Sequence, residues 1–246
     1  MAFLLNHGSL RRETCATPFR ESALALRRYC GKRAWGICMT GSKASRVAAW
    51  WIAAVATPVA MAVWIGASAN GIPGFDREGL TLAHAWRGPW LDAVFPILTR
   101  LGSMMVLLPL LVVGGVMLWR GGFRREAGFF AAAVIGASIF AQLAKHLVLR
   151  QRPDLFAALA PVASPLSFPS SHAVQVTALA VASGVLVVRL APGCRRRAMP
   201  LLAALAVLVG FSRLYLQVHY PSDVLTGALA ATFWVAGLRV LVFARG

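Results

Sequence analysis

The sequence predicts an all-α fold: a polytopic integral membrane bundle of six transmembrane helices, plus one extracytoplasmic helix lying along the membrane interface. Three observations predict it. Hydrophobic residues make up 59% of the 246 positions and charged residues 13%, with a mean hydropathy of +0.69, too apolar for an ordinary soluble domain. Apolar runs close to the length of a bilayer crossing, about 20 residues, recur from 47 to 243. The cations gather in the N-terminal segment and in short stretches between those runs, which is how charge sets membrane topology.

Residues 1–46 stand apart. They are basic and mixed polar, with no apolar run able to span a bilayer and no basic start leading straight into an apolar stretch, as a cleaved signal peptide needs. They read as a disordered cytoplasmic segment, in which 21–30 is a candidate amphipathic turn on anionic lipid and Met39 an alternative start. The first span is 47–69, with Pro58 as its kink. A second, short one covers 103–119, and a third, 127–149, carries Lys145 near its far end. The remaining three run over 172–190, 198–215 and 222–243. Between the first two spans, 80–101 sets Trp86, Trp90, Phe95 and Leu98 among Arg87, Asp92 and Arg100, the composition of an interfacial helix.

Six spans leave both termini on one side, and charge says which. The N-terminal segment, Arg120, Arg124, Arg125, Arg195, Arg196, Arg197 and Arg245 share one face, so that face is cytoplasmic. Segments 70–102, 150–171 and 213–221 then lie outside. The net charge of +17 invites a nucleic-acid reading, but the placement of the cations assigns them to topology, so the partner is the lipid bilayer and not nucleic acid. Cys15, Cys30, Cys38 and Cys194 match no redox motif and no metal spacing with histidine; they read as free thiols on the cytoplasmic side. The Ala, Arg, Gly and Val content suggests a bacterial source, and so an inner (cell) membrane location.

Three motifs fall on the outer face. Lys145 and Arg152 stand seven apart across a helix end, and Pro153 turns Arg152 back over that end toward Lys145. A point charge and a planar fork suit a tetrahedral dianion; taken alone they also read as snorkelling cations. Pro169-Ser170-Ser171-His172 opens the fourth span, where free backbone N–H groups and the helix dipole favour an anion, although either serine also reads as a plain cap. Ser212 and Arg213 end the fifth span, and His219 precedes Asp223 by four, a spacing that lets the carboxylate reach the imidazole and orient it. Three cations, two imidazoles, a carboxylate and small hydroxyl residues make a set able to hold and cleave a phosphoryl group, with no cofactor and no metal ligand set.

At these residues the chain resembles the type 2 phosphatidic acid phosphatase (PAP2) superfamily, whose pattern is K-x6-R-P, P-S-G-H and S-R-x5-H-x3-D. Every specified residue but one stands here in order; Ser171 replaces the glycine, a mild change at a position that offers its backbone N–H. The resemblance covers about 47–243, so 47–246 reads as the PAP2-like domain. It implies that His219 is the nucleophile of a phosphohistidine mechanism, oriented by Asp223, and that His172 is the general acid. It further implies that Lys145, Arg152 and Arg213 hold the phosphoryl oxygens, with Ser170 and Ser171 completing the cradle. The implied substrate is a membrane lipid phosphate: a polyprenyl diphosphate such as undecaprenyl diphosphate, phosphatidylglycerophosphate, phosphatidic acid or a lipid A phosphate. A phosphotransferase with a lipid hydroxyl acceptor would use the same residues. A transporter is disfavoured, because the charges sit at helix ends rather than at the midplane and no repeat is visible; a haloperoxidase is disfavoured because this chain is built for a membrane. No residue pattern assigns an oligomeric state.

Overall fold

The computed structural model describes residues 42–68, 72–162 and 164–244. The expectations for 21–30, Met39, Cys15, Cys30 and Cys38, and for the order of 1–41, lie outside the described residues. Among the described residues the regular structure is helical: α1 (Lys43–Gly66), α2 (Gly74–Ala85), α3 (Pro89–Leu98), α4 (Met104–Arg120), α5 (Arg124–Val148), α6 (Ser171–Leu190), α7 (Arg195–Tyr215) and α8 (Pro221–Phe243), with short 3-10 turns at Thr99–Gly102 and Pro192–Cys194. The first helix begins earlier than expected, at Lys43, because the Ser42 hydroxyl accepts the Ser45 N–H and caps it.

Helices α1, α5, α6, α8 and the stretch Pro192–Tyr215 are each long and apolar enough to cross a membrane. That makes five, or six, the number expected, if the bent pair Pro89–Gly102 and Met104–Arg120 is one span. The expected second span is α4, whose 17 residues reach roughly 26 Å at 1.5 Å per residue, short of the ~30 Å hydrocarbon core. It qualifies only jointly with Pro89–Gly102, from which it is bent by 43°.

The single interfacial helix expected over 80–101 does not form as one piece. It is two helices, because Gly88 is fully extended and Pro89, which lacks an N–H, starts a new helix at its first position. The first of them does not merely lie on a surface: α2 turns Asp76, Leu80 and Ala83 inward, fully buried against α7 and α8. α3 is tied to the end of α7 by Phe95 stacked on Tyr215 at 4.2 Å and by the Tyr215 hydroxyl donating to Asp92. Asp92 in turn pairs with Arg87 at 3.0 Å.

α6 is the central span, surrounded by α5, α7 and α8. Its neighbours approach closely because the contacting residues are small: α5 offers Ala133, Ala137 and Ala141 to α6, each essentially inaccessible. Where α1 packs on α8, Gly237 of α8 faces Trp51 of α1 so tightly that a Cβ would lie 2.3 Å from its indole nitrogen. The outward faces of α1 and α4 carry exposed Val, Leu, Ile, Trp and Met, as a lipid-facing surface does.

The connection between α5 and α6 brings the chemistry inward. Leu149 closes α5 in the left-handed conformation (φ 54°), its N–H donating to the Lys145 carbonyl. The chain then runs extended, with Gln151 bridged antiparallel to Leu166 and the Ser167 N–H on the Arg150 carbonyl at 2.7 Å. This strap, rather than Pro153 alone, aims Arg150 and Arg152 into the bundle end.

Candidate active site

The ends of α5, α6, α7 and α8 meet at one end of the bundle, and every residue expected at the site is there. Lys145 is buried, its ammonium donating to the carbonyls of Leu166 (3.0 Å) and Pro169 (3.3 Å). Arg152 donates to the carbonyls of Ser164 and Val218, both at 2.6 Å, and lies 3.2 Å from His219 Nε2. Arg213, also buried, gives Nη1 to the Thr99 hydroxyl, while its Nε has no hydrogen bond. Among the described residues none of these three cations pairs with a carboxylate. Buried charge left without a counter-ion is costly, so two buried cations and the half-buried Arg152 beside them mark a site for an anion.

The turn between α7 and α8 sets the histidine. Gln217 takes the left-handed conformation (φ 57°), fully buried with its amide nitrogen on the Leu80 carbonyl. Pro221 then opens α8, and Asp223 in the first turn caps it by accepting the Tyr220 N–H at 3.0 Å. The same Oδ2 stands 3.4 Å from His219 Nδ1. The expected His–Asp juxtaposition is therefore present but long, and Nδ1 makes no hydrogen bond of good geometry. A guanidinium can only donate, so the Arg152 contact makes Nε2 an acceptor and puts the imidazole proton on Nδ1, toward Asp223.

Burial holds the His219 imidazole well below its ordinary pKa, and the nearby Arg213, Arg152 and Lys145 charges push the same way. Protonation would remove the Nε2 lone pair, and depression delays protonation, so the lone pair persists as pH falls through the unperturbed value of about 6.5. The acid limb of kcat/KM assigned to His219 is expected below that value, and a pH–rate profile checks it.

His172 sits in the first turn of α6, half-buried, against the 3-10 turn that follows α3. Gly102 makes that packing possible: a Cβ there would lie 3.3 Å from His172 Cβ and Cδ2 and 2.5 Å from Val209 Cγ1. Gly102→Ala is expected to displace the imidazole, to lower kcat roughly tenfold and, because the new methyl also meets the fully buried Val209, to cost about 1–3 kcal/mol of stability; lipid phosphate hydrolysis measured beside a melting curve checks both.

Of the serines, Ser170 is fully buried, its N–H on the Asp223 carbonyl at 3.2 Å and its hydroxyl without a partner. Ser171 is the first residue of α6 and half-buried. Neither caps α6 with its side chain. Ser212 turns its hydroxyl back onto the Val209 carbonyl at 2.6 Å, so this motif serine addresses its own helix.

Sequence reasoning missed four residues. Thr99 and Gly102, which touch Arg213 and His172, left no visible signal. Arg150 lies between Lys145 and Arg152, and Asp76 is one of only 8 acidic residues facing 25 Lys and Arg. Their charge in an apolar setting was a usable signal. Arg150 bonds Asp223 and Asp76, each at 2.7 Å.

Fold and geometry define the class: a helical integral membrane protein with a buried cationic cluster and two histidines at one end of its bundle. A family model described as the PAP2 superfamily matches residues 126–246. Phosphatidylglycerophosphatase B of Bacillus subtilis (strain 168) is 34% identical over 164 residues, covering 64% of this chain and 78% of that protein. Decaprenylphosphoryl-5-phosphoribose phosphatase of Mycobacterium tuberculosis (strain ATCC 25618 / H37Rv) is 41% identical over 128 residues, 51% of this chain and 66% of that one. The crystal structure of a transmembrane PAP2 type phosphatidylglycerolphosphate phosphatase from Bacillus subtilis aligns with a TM-score of 0.65 at 26% identity, covering 79% of this chain and 94% of that chain. The chain belongs to the PAP2 superfamily. It is a membrane phosphatase, a hydrolase of phosphoric esters or diphosphates.

Proposed function

We propose that the protein removes the terminal phosphoryl group of a membrane lipid phosphate or diphosphate through a phosphohistidine on His219, without a metal. The observation that carries this is that Arg152 contacts the acceptor nitrogen of His219 while Lys145 and Arg213 stand close enough to repel a proton from the ring, none of the three paired with a carboxylate among the described residues. Phosphoryl transfer asks a protein mainly for positioning and charge stabilisation, and this cluster supplies both.

The steps balance. Arg152 moves its guanidinium from Nε2 onto a phosphoryl oxygen, and Lys145 and Arg213 take the others, with Ser170 and the Ser171 N–H beside them. The freed Nε2 lone pair attacks phosphorus, the bond from phosphorus to the lipid oxygen breaks, and His172 gives that oxygen its proton. Asp223 faces the positive charge now on the imidazole. Water then attacks phosphorus, its proton passes to His172, the phosphorus–nitrogen bond breaks, and inorganic phosphate leaves.

A lipid substrate is supported by the surface beside the site. Trp90, Ile97, Leu101 and Met105 are exposed apolar side chains on the stretch that carries Thr99 and Gly102. A tail remaining in the bilayer would lie along them while its phosphate reaches the cluster. The positive-inside pattern places this end of the bundle on the extracytoplasmic face. Purified protein in detergent and EDTA, offered phosphatidylglycerophosphate, phosphatidic acid, undecaprenyl diphosphate, a lipid A phosphate and decaprenylphosphoryl-5-phosphoribose, is expected to release phosphate from at least one. Release that stops in EDTA and returns with a divalent cation would contradict the metal-free mechanism.

A further inference from the structure

The steps above leave a buried ionic cluster behind Asp223 unused. Asp76 of α2 is fully buried; its Oδ1 accepts the Ser222 N–H at 2.8 Å, and its Oδ2 accepts the Ser222 hydroxyl at 2.6 Å and Arg150 Nη2 at 2.7 Å. Arg150 Nη1 donates to the Ser222 hydroxyl and to Asp223 Oδ1, both at 2.7 Å. Its guanidinium carbon lies 3.8 Å from the centre of the Tyr220 ring. The cluster joins α2, the α5–α6 strap and the start of α8, three segments far apart in the chain.

We infer that Asp76, Arg150 and Ser222 are positioning residues that fix the Asp223 carboxylate, and through it hold the proton of His219 on Nδ1. This rests on the phosphohistidine reading. A carboxylate in the first turn of a helix can rotate; here Arg150 pins Oδ1, so Oδ2 is left to the Tyr220 N–H and to Nδ1 of His219. The same cluster also sorts four cations. Lys145, Arg150 and Arg152 all arrive from one stretch of eight residues, and with Arg213 all four gather at one end of the bundle. Asp76 reserves Arg150 for the carboxylate, because one arm of its fork is held by α2 and the other by Asp223. Three cations remain for the anion. The groups facing His219 are then Asp223 from α8, Arg213 from α7, Lys145 from α5, His172 from α6, and Arg152 with the Ser167 backbone from the strap.

The test uses Asp76→Asn, which keeps shape and removes charge, and Ser222→Ala, which removes only the bridging hydroxyl. Both are made in the full chain in detergent micelles and compared with the unaltered protein. Each is expected to lower kcat roughly 10- to 100-fold. KM for the lipid and inhibition by inorganic phosphate should stay within about twofold, because Lys145, Arg152 and Arg213 are untouched. In parallel, nitrogen NMR of 15N-histidine protein, with the His219 signals assigned by their loss in His219→Ala, is expected to show the proton on Nδ1. With saturating inorganic phosphate drawing Arg152 away from Nε2, Asp76→Asn should mix the two tautomers, and it should move the titration midpoint down, since it removes a negative charge. Unchanged kcat and tautomer in both variants would overturn the inference. So would a fall in kcat matched by an equal weakening of phosphate inhibition, which would assign the cluster to the cradle instead. If the unaltered protein hydrolyses no lipid, the phosphohistidine reading fails by itself, and the NMR arm still decides whether Asp76 and Ser222 govern His219.

Discussion

His219→Ala is expected to abolish lipid phosphate hydrolysis, lowering kcat by roughly 10,000-fold or more, the scale seen when a nucleophile or its partner base is removed. The reason is local. Nε2 is the nitrogen whose lone pair faces the cations, fixed as an acceptor by Arg152, and no other neutral nucleophile among the described motif residues occupies that place. Stability should change little. Truncating a buried ring leaves a cavity, yet it also removes a polar atom, Nδ1, that lacks a good hydrogen bond, and relieves crowding beside Lys145, Arg152 and Arg213. Steady-state hydrolysis and a melting curve on the same preparation check the two halves. Lipid phosphate binding should survive, because the three cations remain.

Arg150→Ala is expected to be the most destabilising substitution in the domain. It leaves Asp76 and Asp223, both fully buried, facing each other without the guanidinium that joins them at 2.7 Å on either side. Removing one partner of a buried ionic group typically costs about 3–5 kcal/mol, and here two carboxylates are orphaned at once. The protein should lose its monodisperse elution and melt far below the unaltered chain in the same detergent. Arg150→Lys keeps the charge but not the fork, so it should recover only part of the loss, since a lysine cannot serve two carboxylates along fixed directions. Full stability in Arg150→Ala would mean that the cluster is solvated and that α2 is not anchored through it.

Much of this was legible in the sequence, for identifiable reasons. Apolar runs locate spans because a bilayer demands continuous burial of the backbone, so the long spans were found with errors of a few residues at their ends. The motif residues stood out because Lys145, Arg213 and His219 are types that a lipid-facing helix end rarely keeps without use. What escaped depends on partners distant in the chain. Arg150 and Asp76 are 74 positions apart and neither has meaning without the other. The role of Gly102 appears only once α6 is laid against it. The break at Gly88-Pro89 was local and readable from the proline, yet the aromatic content of 80–101 suggested one continuous interfacial helix. Ser212 is a motif position to which the sequence assigned no role, and its hydroxyl turns to its own helix.

The arrangement also suggests why the outer helices belong to the enzyme and are more than connectors. α2 supplies Asp76, which holds the arginine that holds Asp223. α3 and its 3-10 turn supply Thr99 to Arg213 and Gly102 to His172. Both histidines and one cation are therefore positioned by the segment between the first span and α4. The chemistry sits on helix ends, and its geometry is set from the side.

The most direct test of the central claim is to trap the covalent intermediate. A rapidly turning-over lipid substrate would be mixed with the protein in EDTA, quenched in alkali within milliseconds to seconds, digested and examined by mass spectrometry. The account expects one phosphoryl group on the peptide that contains His219, lost on acid treatment and absent from His219→Ala. Full turnover with no phosphoryl group on that peptide, together with activity surviving in His219→Ala, would contradict it.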